Sequence, residues 1–507
     1  MIPLYTPAQV RSMDERAIAD GTPSLALMER AAGHLARAVV AMAPRRYGLT
    51  VLVLCGKGNN AGDGIAATRR LWAYGVSARI HLVEGEAGLS DDAATQLARY
   101  RAEGGRESPT IDFTGVDVAV DCLLGTGASG PAREPIAGTI RRLNAWRADT
   151  TDGTVVACDI PSGVDADAGQ VPGEAVRADA TVVLGAGKRG LWLWPARGHC
   201  GQLVVADIGI TSNPPDPEAG VLEGADAAAA LHPADPNVDK RGRGVVVLLA
   251  GSEGMAGAAI MAARGAMAMG TGLLTVATSA AVRDAVAPAV PEAMTLGLPD
   301  EDPDAAFAAV VDRLEGADVL AMGPGLGHSQ STAELVRRLV REVALPVVLD
   351  ADGLNAFRGN GDALSDRAGS ELVCTPHACE FARMLGRKVD EVWPDRINTG
   401  AAAARRWNAT VVLKGPGTIV TAPRRHSLIN TTGSAALATG GTGDVLTGML
   451  AAALPAGRGP NVVAATVHVH GLAGELAARR LSARSVSALD VAAAVPAVLQ
   501  TLEQTWT

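Results

Sequence analysis

"VLVLCGKGNNAGDGIAATRRLWAYG", residues 51–75, is an apolar run, then a glycine-rich turn, then apolar residues at helical spacing. Its first five residues carry no polar break, as in a strand covered on both faces. From Gly64 the pattern changes to that of a helix with one buried stripe. A continuous apolar strand passing through a tight turn into such a helix opens a parallel βαβ unit.

The same rhythm runs through the first half of the chain. "ARIHLV" at 78, "VDVAVD" at 116, "TVVACDI" at 154, "TVVLGA" at 181 and "LVVADIGI" at 203 are strand-sized, most of them separated by helix-length stretches. This half is expected to be a Rossmann-like doubly wound sheet. The Pro-rich, polar "TSNPPDPEAG", residues 211–220, breaks the pattern more than any other stretch and is the expected linker. The rhythm then resumes with "VVVLLAG" at 245, "LLTVATS" at 273, "VLAMGPGLG" at 319, "LPVVLDADGLN" at 345, "LVCTPH" at 372 and "TVVLKGPGTIV" at 410. Two α/β domains are expected, over 1–212 and 222–507, as suits a chain of 507 residues.

A net charge of −9 without a Lys/Arg cluster argues against nucleic acid as a partner. The N-terminal stretch lacks a signal-peptide pattern, and no apolar run approaches the ~20 residues needed to cross a bilayer. A cytoplasmic protein with no membrane partner is expected. The six cysteines read as buried reduced thiols. "CTPHACE", residues 374–380, lacks the second Cys or His pair of a zinc site, and His468 and His470, two apart on a helix, point away from each other.

Three strand ends in the first half carry polar groups. After residues 51–54, "GKGNNAGDG" holds Asn59, Asn60, Ala61, Gly62 and Asp63. The turn either brings backbone N–H groups against an anion or is an ordinary βα turn with Asp63 as a helix cap. "VDCLLGTGASGP" sets Asp121 at a strand end, followed by the glycine loop Gly125, Thr126, Gly127, Ala128, Ser129, Gly130, Pro131; "CDIPSG" supplies Asp159 and Ser162. These oxygens suit a weakly charged hard cation, and a strand-end carboxylate suits proton removal.

In the second half, "LATGGTGDVLTGML", residues 437–450, packs Gly440, Gly441, Thr442 and Gly443 ahead of a helix that begins near Asp444. Unpaired N–H groups of a helix's first turn suit a phosphoryl group. Asp444 is then either the base that deprotonates a phosphoryl acceptor or the helix cap. "KGPGT", Lys414, Gly415, Pro416, Gly417 and Thr418, is either a phosphate turn or a plain hairpin. "GPGLG", with Gly323, Gly325 and Gly327, is another close-approach loop, while Asp350 and Asp352 at a strand end place Mg²⁺ or cap and turn.

The trio "GNNAGDG", "DCLLGTG" and "DIPSGVDADAG" closely resembles the epimerase domain of the bacterial NAD(P)H-hydrate repair enzymes over roughly residues 1–212. The resemblance implies K⁺ held by Asn60, Asp121 and Ser162. It implies substrate contacts from Asn59 to Asp63, from Gly125 to Pro131 and from Asp159, with Asp159 also the base at C6. "GMAGAA", "GPGLG", "DADGLN", "TPHACE", "KGPGT" and "GGTGD" are similar to the same enzymes' dehydratase domain, of the ribokinase-like superfamily. That likeness implies ADP or ATP on Lys414–Thr418 and Gly440–Gly443. It implies the hydrate on Ala258, Gly325, His377 and Asp444, with Asp444 the base and Mg²⁺ as cofactor.

Three departures stand out: Ala61 where the family has Gly, "HACE" for "HPGE", and "TGSA" without the usual Asn-Pro. The implied partners are NADHX, NADPHX and ADP or ATP, in a homo-oligomer. Two other readings share parts of the pattern: a vitamin or sugar kinase that releases a stable phosphorylated product, and a first domain serving only as an interaction module.

Overall fold

The computed structural model describes residues 1–45, 47–232, 235–299, 302–369 and 371–504; the last three positions of the expected second domain lie outside them. The chain divides into two compact units, Pro3–Ala219 and Gly220–Thr507, the second joined by Met1–Ile2.

In the first unit, helix α1 (Ser24–Met42) precedes strand β1 (Thr50–Cys55), α2 (Asn59–Ala73), β2 (Ser77–Leu82), α3 (Asp91–Ala102), β3 (Val118–Cys122), α4 (Ile136–Asp149), β4 (Thr154–Cys158), β5 (Ala180–Leu184) and β6 (Gln202–Ala206). The six strands form one parallel sheet in the order β2-β1-β3-β4-β5-β6. β3, β4 and β5 are buried at every position, as expected of strands covered on both faces. On one face Leu35, Ile65, Leu71 and Val53 share a core; on the other Leu52, Leu54, Ile140 and Leu143 share a second. The chain reverses its direction of strand addition between β1 and β3, so the loops that follow these two strands part and leave a crevice.

In the second unit, β7 (Val245–Leu249), α5 (Ala256–Met269), β8 (Leu273–Ser279), β9 (Met294–Leu298), β10 (Val319–Met322), α6 (Gln330–Glu342), β11 (Val347–Leu349), β12 (Leu372–Cys374) and β13 (Thr410–Leu413) follow the same alternation. β14 (Ile419–Thr421) returns antiparallel to β13, pairing Leu413 with Ile419, and β15 (Ser427–Ile429) pairs with β14. The strand order is β9-β8-β7-β10-β11-β12-β13-β14-β15. Its reversal point lies between β7 and β10, after which come the segments holding Ala258 and Gly325.

Helices α7 (Thr442–Ala453), α8 (Pro460–Arg480) and α9 (Ala488–Glu503) complete the unit. α7 crosses α5 so closely that a Cβ on Gly448 would lie 1.8 Å from the Ala262 carbonyl oxygen, and one on Gly265 2.2 Å from that of Val445. Two glycines facing across the crossing thus set how deep α7 sits, and with it the height of its first turn.

All six cysteines are free; five are buried and Cys379 is exposed. Among the described residues no helix is long and apolar enough to cross a membrane.

Candidate functional site

The first site is built on the carboxyl ends of β1, β3 and β4. Asp121, fully buried at the end of β3, accepts from the Ser162 hydroxyl at 2.6 Å and from the Ser162 N–H at 2.8 Å. Burial lifts its pKa to about 6, and the Ser162 and Leu123 hydrogen bonds act against that rise. The Leu124 N–H donates to the Ser162 oxygen at 2.8 Å, and the Asn60 amide donates to the Leu124 carbonyl at 3.0 Å. This leaves Asn60 Oδ1 buried without a hydrogen-bond partner among the described residues. A side chain on Gly125 would touch the Asn60 Cβ, at 3.5 Å. Asn60, Asp121, Gly125 and Ser162 therefore stand together.

α2 begins one turn earlier than the cap alternative requires: Gly58 is its N-cap, and Asn59, Asn60, Ala61 and Gly62 form its first turn. Asp63 lies inside the helix, buried, and does not cap it. Ala61 packs its methyl group into the core beneath α2, so replacing the usual glycine there strains nothing. Asn59 is exposed, as are Gly127, Ala128, Ser129, Gly130 and Pro131, which lead outward beyond Gly125 and Thr126.

Asp159 follows β4 with φ +67°, a left-handed conformation uncommon for aspartate. Its Oδ1 accepts from Leu184 N–H at 3.1 Å and from Lys188 Nζ at 2.5 Å, and Lys188 also donates to the Leu184 carbonyl at 2.6 Å. Lys188 is 2% exposed. It is fixed by pairing of Leu4–Tyr5 with Gly187–Lys188. Two more carboxyls share this neighbourhood. Burial first, then the charges of Asp159 and Asp14, hold Asp63 well above the carboxylate range, and burial raises Asp14 against the pull of Lys188. Sequence reasoning missed both Lys188 and Asp14; the signal available for Lys188 was a lysine just past a buried strand in "VVLGAGK".

The second site surrounds the start of α7. Gly441, at φ +92°, is the N-cap and supplies no side-chain cap. Asp444 sits in the first turn with no hydrogen bond among the described residues, so it is not the cap. Burial raises its pKa to about 7, Asp350 adds to the rise and Lys414 opposes it. Asp350, 1% exposed, accepts from Lys414 Nζ at 2.6 Å and from the Thr447 hydroxyl at 2.7 Å. Burial works against the Lys414 ammonium, but Asp350, Glu380 and Asp444 outweigh it and raise its pKa. Lys414 also lies close to α7: a Cβ on Gly443 would be 3.3 Å from its Nζ.

Lys414 N–H donates to the Pro376 carbonyl at 2.9 Å, and Lys414 and His377 form an isolated parallel bridge just beyond the ends of β13 and β12. His377 caps the helix Ala378–Met384 through Nδ1, with Glu380 returning the bond to the His377 N–H at 2.9 Å. The capping box survives the change from "HPGE" to "HACE" because its side chains are His377 and Glu380 and position 379 contributes only a backbone N–H, which glycine and cysteine both supply. In "TGSA", Ser434 caps a short 3₁₀ turn, Ala435–Leu437.

Thr418 closes its own turn, its hydroxyl donating to the Gly415 carbonyl at 2.9 Å. Thr442 likewise bonds the Leu437 and Thr439 carbonyls, while His470 contacts the Thr442 carbonyl at 2.9 Å. Gly440 is exposed and open. Gly325 and Ala258 meet directly: a Cβ on Gly325 would lie 2.8 Å from that of Ala258. Asp352 accepts from Gly327 N–H at 2.9 Å. Thus Lys414, Gly443 and Asp444 gather about Asp350, with His377 bridged to Lys414, and Ala258 and Gly325 form a second pair. Thr447 and His470 brace α7; Thr447 was not singled out in the sequence, and His470 was considered there only as a metal ligand and set aside.

Residues 246–497 match the family described as NAD(P)H-hydrate dehydratase, and residues 24–190 the family described as YjeF-related protein N-terminus. The chain is 38% identical to the bifunctional NAD(P)H-hydrate repair enzyme Nnr of Salinibacter ruber, across 98% of this chain and 96% of that protein. The enzyme of the same name from Moorella thermoacetica is 35% identical across 99% of this chain and 97% of its own length. A ribokinase-like superfamily protein of Enterococcus faecalis is similar in fold, with a TM-score of 0.50 at 24% identity over 56% of this chain and 96% of that protein.

Proposed function

This chain belongs to the bifunctional NAD(P)H-hydrate repair enzymes, and from that premise we propose how its own residues divide the work. The chain repairs hydrated nicotinamide nucleotides, NADHX and NADPHX. The first unit interconverts the R and S hydrates. The second converts the S hydrate to NAD(P)H at the expense of ADP or ATP.

In the second unit Asp444 takes the proton of the C6 hydroxyl as that oxygen attacks the terminal phosphorus of the nucleotide. The bond from phosphorus to the leaving nucleotide breaks, giving AMP from ADP. The C6–O bond then breaks with the push of the ring nitrogen, phosphate departs, C5 gives up a proton and the double bond returns. Phosphorylation makes a poor leaving group into a good one. Lys414 and the first turn of α7 balance the charge of the phosphoryl group in transit. Lys414–Thr418 and Gly440–Gly443 hold the nucleotide; Ala258, Gly325 and His377 hold the hydrate. Among the described residues no three His, Cys, Asp or Glu side chains form a metal cage. That suits Mg²⁺ carried in on nucleotide phosphates rather than on a site of its own.

In the first unit the C6 hydroxyl leaves as water while the ring nitrogen forms a double bond to C6. Asp159, oriented by Lys188, is the base that takes the proton of the water re-adding to C6 from the opposite face. Asp63, whose carboxyl burial holds well above the usual carboxylate range, is placed to give the departing hydroxyl its proton. Asn59–Asp63 and Gly125–Pro131 hold the hydrate. K⁺ fits beside them, because Asn60 Oδ1 is a buried acceptor without a donor, next to the Asp121 carboxylate and the Ser162 oxygen. When bound, the ion supplies a fixed positive charge that orders the substrate's oxygens. A homo-oligomer in the cytoplasm completes the reading.

The single observation that carries the dehydration is Asp444, unbonded at a helix start beside Lys414 with a pKa of about 7. Purified protein given mixed hydrate and ADP or ATP should restore the reduced-ring absorbance at about 340 nm. A phosphorylated product that accumulates without that recovery would instead mark a small-molecule kinase.

A further inference from the structure

Arg396 opens the helix Arg396–Trp407 and is 3% exposed, yet it forms no ion pair with a carboxylate among the described residues. Burial alone lowers its pKa, to about 10, so it is still a cation at neutral pH. A guanidinium removed from water without a counter-ion is costly, and its retention calls for a compensating role.

Its contacts lie on the turn Gly415–Thr418. Nη2 donates to the Pro416 carbonyl at 2.7 Å. The guanidinium carbon stands 4.9 Å from the centre of the Trp393 ring. The same ring backs Gly415, where a Cβ would fall 2.9 Å from Cζ2. Gly417 has φ +67°, and Pro followed by a glycine of positive φ is the pattern of a type II turn. In a trans peptide C=O and N–H point to opposite sides. A hold on the Pro416 oxygen therefore directs the Gly417 N–H to the face of the turn away from Arg396.

We propose that Arg396 is a positioning residue for the nucleotide: it locks the Pro416–Gly417 peptide so that the Gly417 N–H faces the ligand, and its uncompensated charge behind the turn favours an anion there. The inference rests on the nucleotide role proposed for Lys414–Thr418.

The test is calorimetric titration of ADP and ATP into the full-length protein and its variants, with steady-state rates beside it. Arg396→Met should weaken both nucleotides by about tenfold, ~1.4 kcal/mol. The KM for the hydrate, kcat at saturating nucleotide and the epimerase rate should hold. A merely structural role would instead lower kcat and the thermal midpoint together. Arg396→Lys, which keeps charge but not the planar fork, should fall between wild type and Arg396→Met. Gly417→Ala, disfavoured at that φ, should reproduce the loss through the turn itself and serves if Arg396→Met does not fold. Unchanged nucleotide affinity in the folded variant, Arg396→Met or else Gly417→Ala, overturns the proposal. Lys414→Met separates the two levels: if it too binds nucleotide normally, the nucleotide reading of the turn falls; if it alone loses binding, only the role of Arg396 falls.

Discussion

Asp350 and Asp444 both border Lys414, but the chain assigns them opposite tasks. Asp350 spends both oxygens, on Lys414 and Thr447, whereas the Asp444 carboxyl is unbonded among the described residues. A base acts in its deprotonated form, so with a pKa of about 7 dehydratase kcat/KM should be level above that pH. Below it, kcat/KM should fall about tenfold per pH unit. Asp444→Asn should lower dehydration by about 10²–10⁴-fold and abolish that limb, while R/S exchange followed by chromatography continues unchanged; equal loss of both activities would refute the assignment. At the first site, exchanging K⁺ for a bulky organic cation should slow epimerisation and spare dehydration. Asn60→Leu, which removes the orphan oxygen, should make the epimerase indifferent to the exchange. Residues such as Asp121, Asp159 and Asp444 were legible in the sequence because glycines or a proline beside them mark strand ends and helix starts. Thr447 and Lys188 were not, since their meaning is a partner 97 and 29 residues away.

At the scale of elements, unbroken apolar runs foretold most strands, because burial on both faces leaves no place for polar residues. The glycine hairpin "VVLKGPGTIV" likewise became β13 and β14. The start of α2 was less legible: glycines and asparagines suggest a turn, yet residues 59–62 are helical because Ala61 and Gly62 pack inward. "GTGDVLTGML", residues 441–450, hid a further fact. Its glycines serve different ends: Gly441 for a left-handed cap, Gly443 beside Lys414, and Gly448 for the crossing with α5. Gly448→Ala puts a methyl group against the Ala262 backbone, where the neighbour cannot yield as a side chain would. Overpacking of this kind costs about 1–3 kcal/mol. The variant should lower the thermal midpoint and, by lifting the first turn of α7, raise the KM for nucleotide. A wild-type midpoint would show that the helices part without cost.

For the whole molecule, the two candidate sites fall in separate units, each gathered about strand ends of its own unit. The hydrate leaving the first site is chemically the substrate of the second, and nothing in the proposed chemistry is covalently retained between the two steps. The two activities should then complement in trans. Asp159→Ala alone should consume S hydrate quickly and R hydrate only at the uncatalysed exchange rate; Asp444→Asn alone should exchange epimers and restore no reduced ring. An equimolar mixture should recover the absorbance of both epimers, with a rate for the R form that rises with the concentration of the Asp444→Asn chain. A mixture no faster on R hydrate than Asp159→Ala alone would mean that epimerised substrate does not pass through solution. The separation of the two halves as independent catalysts would then fail, even with each set of residues correctly assigned.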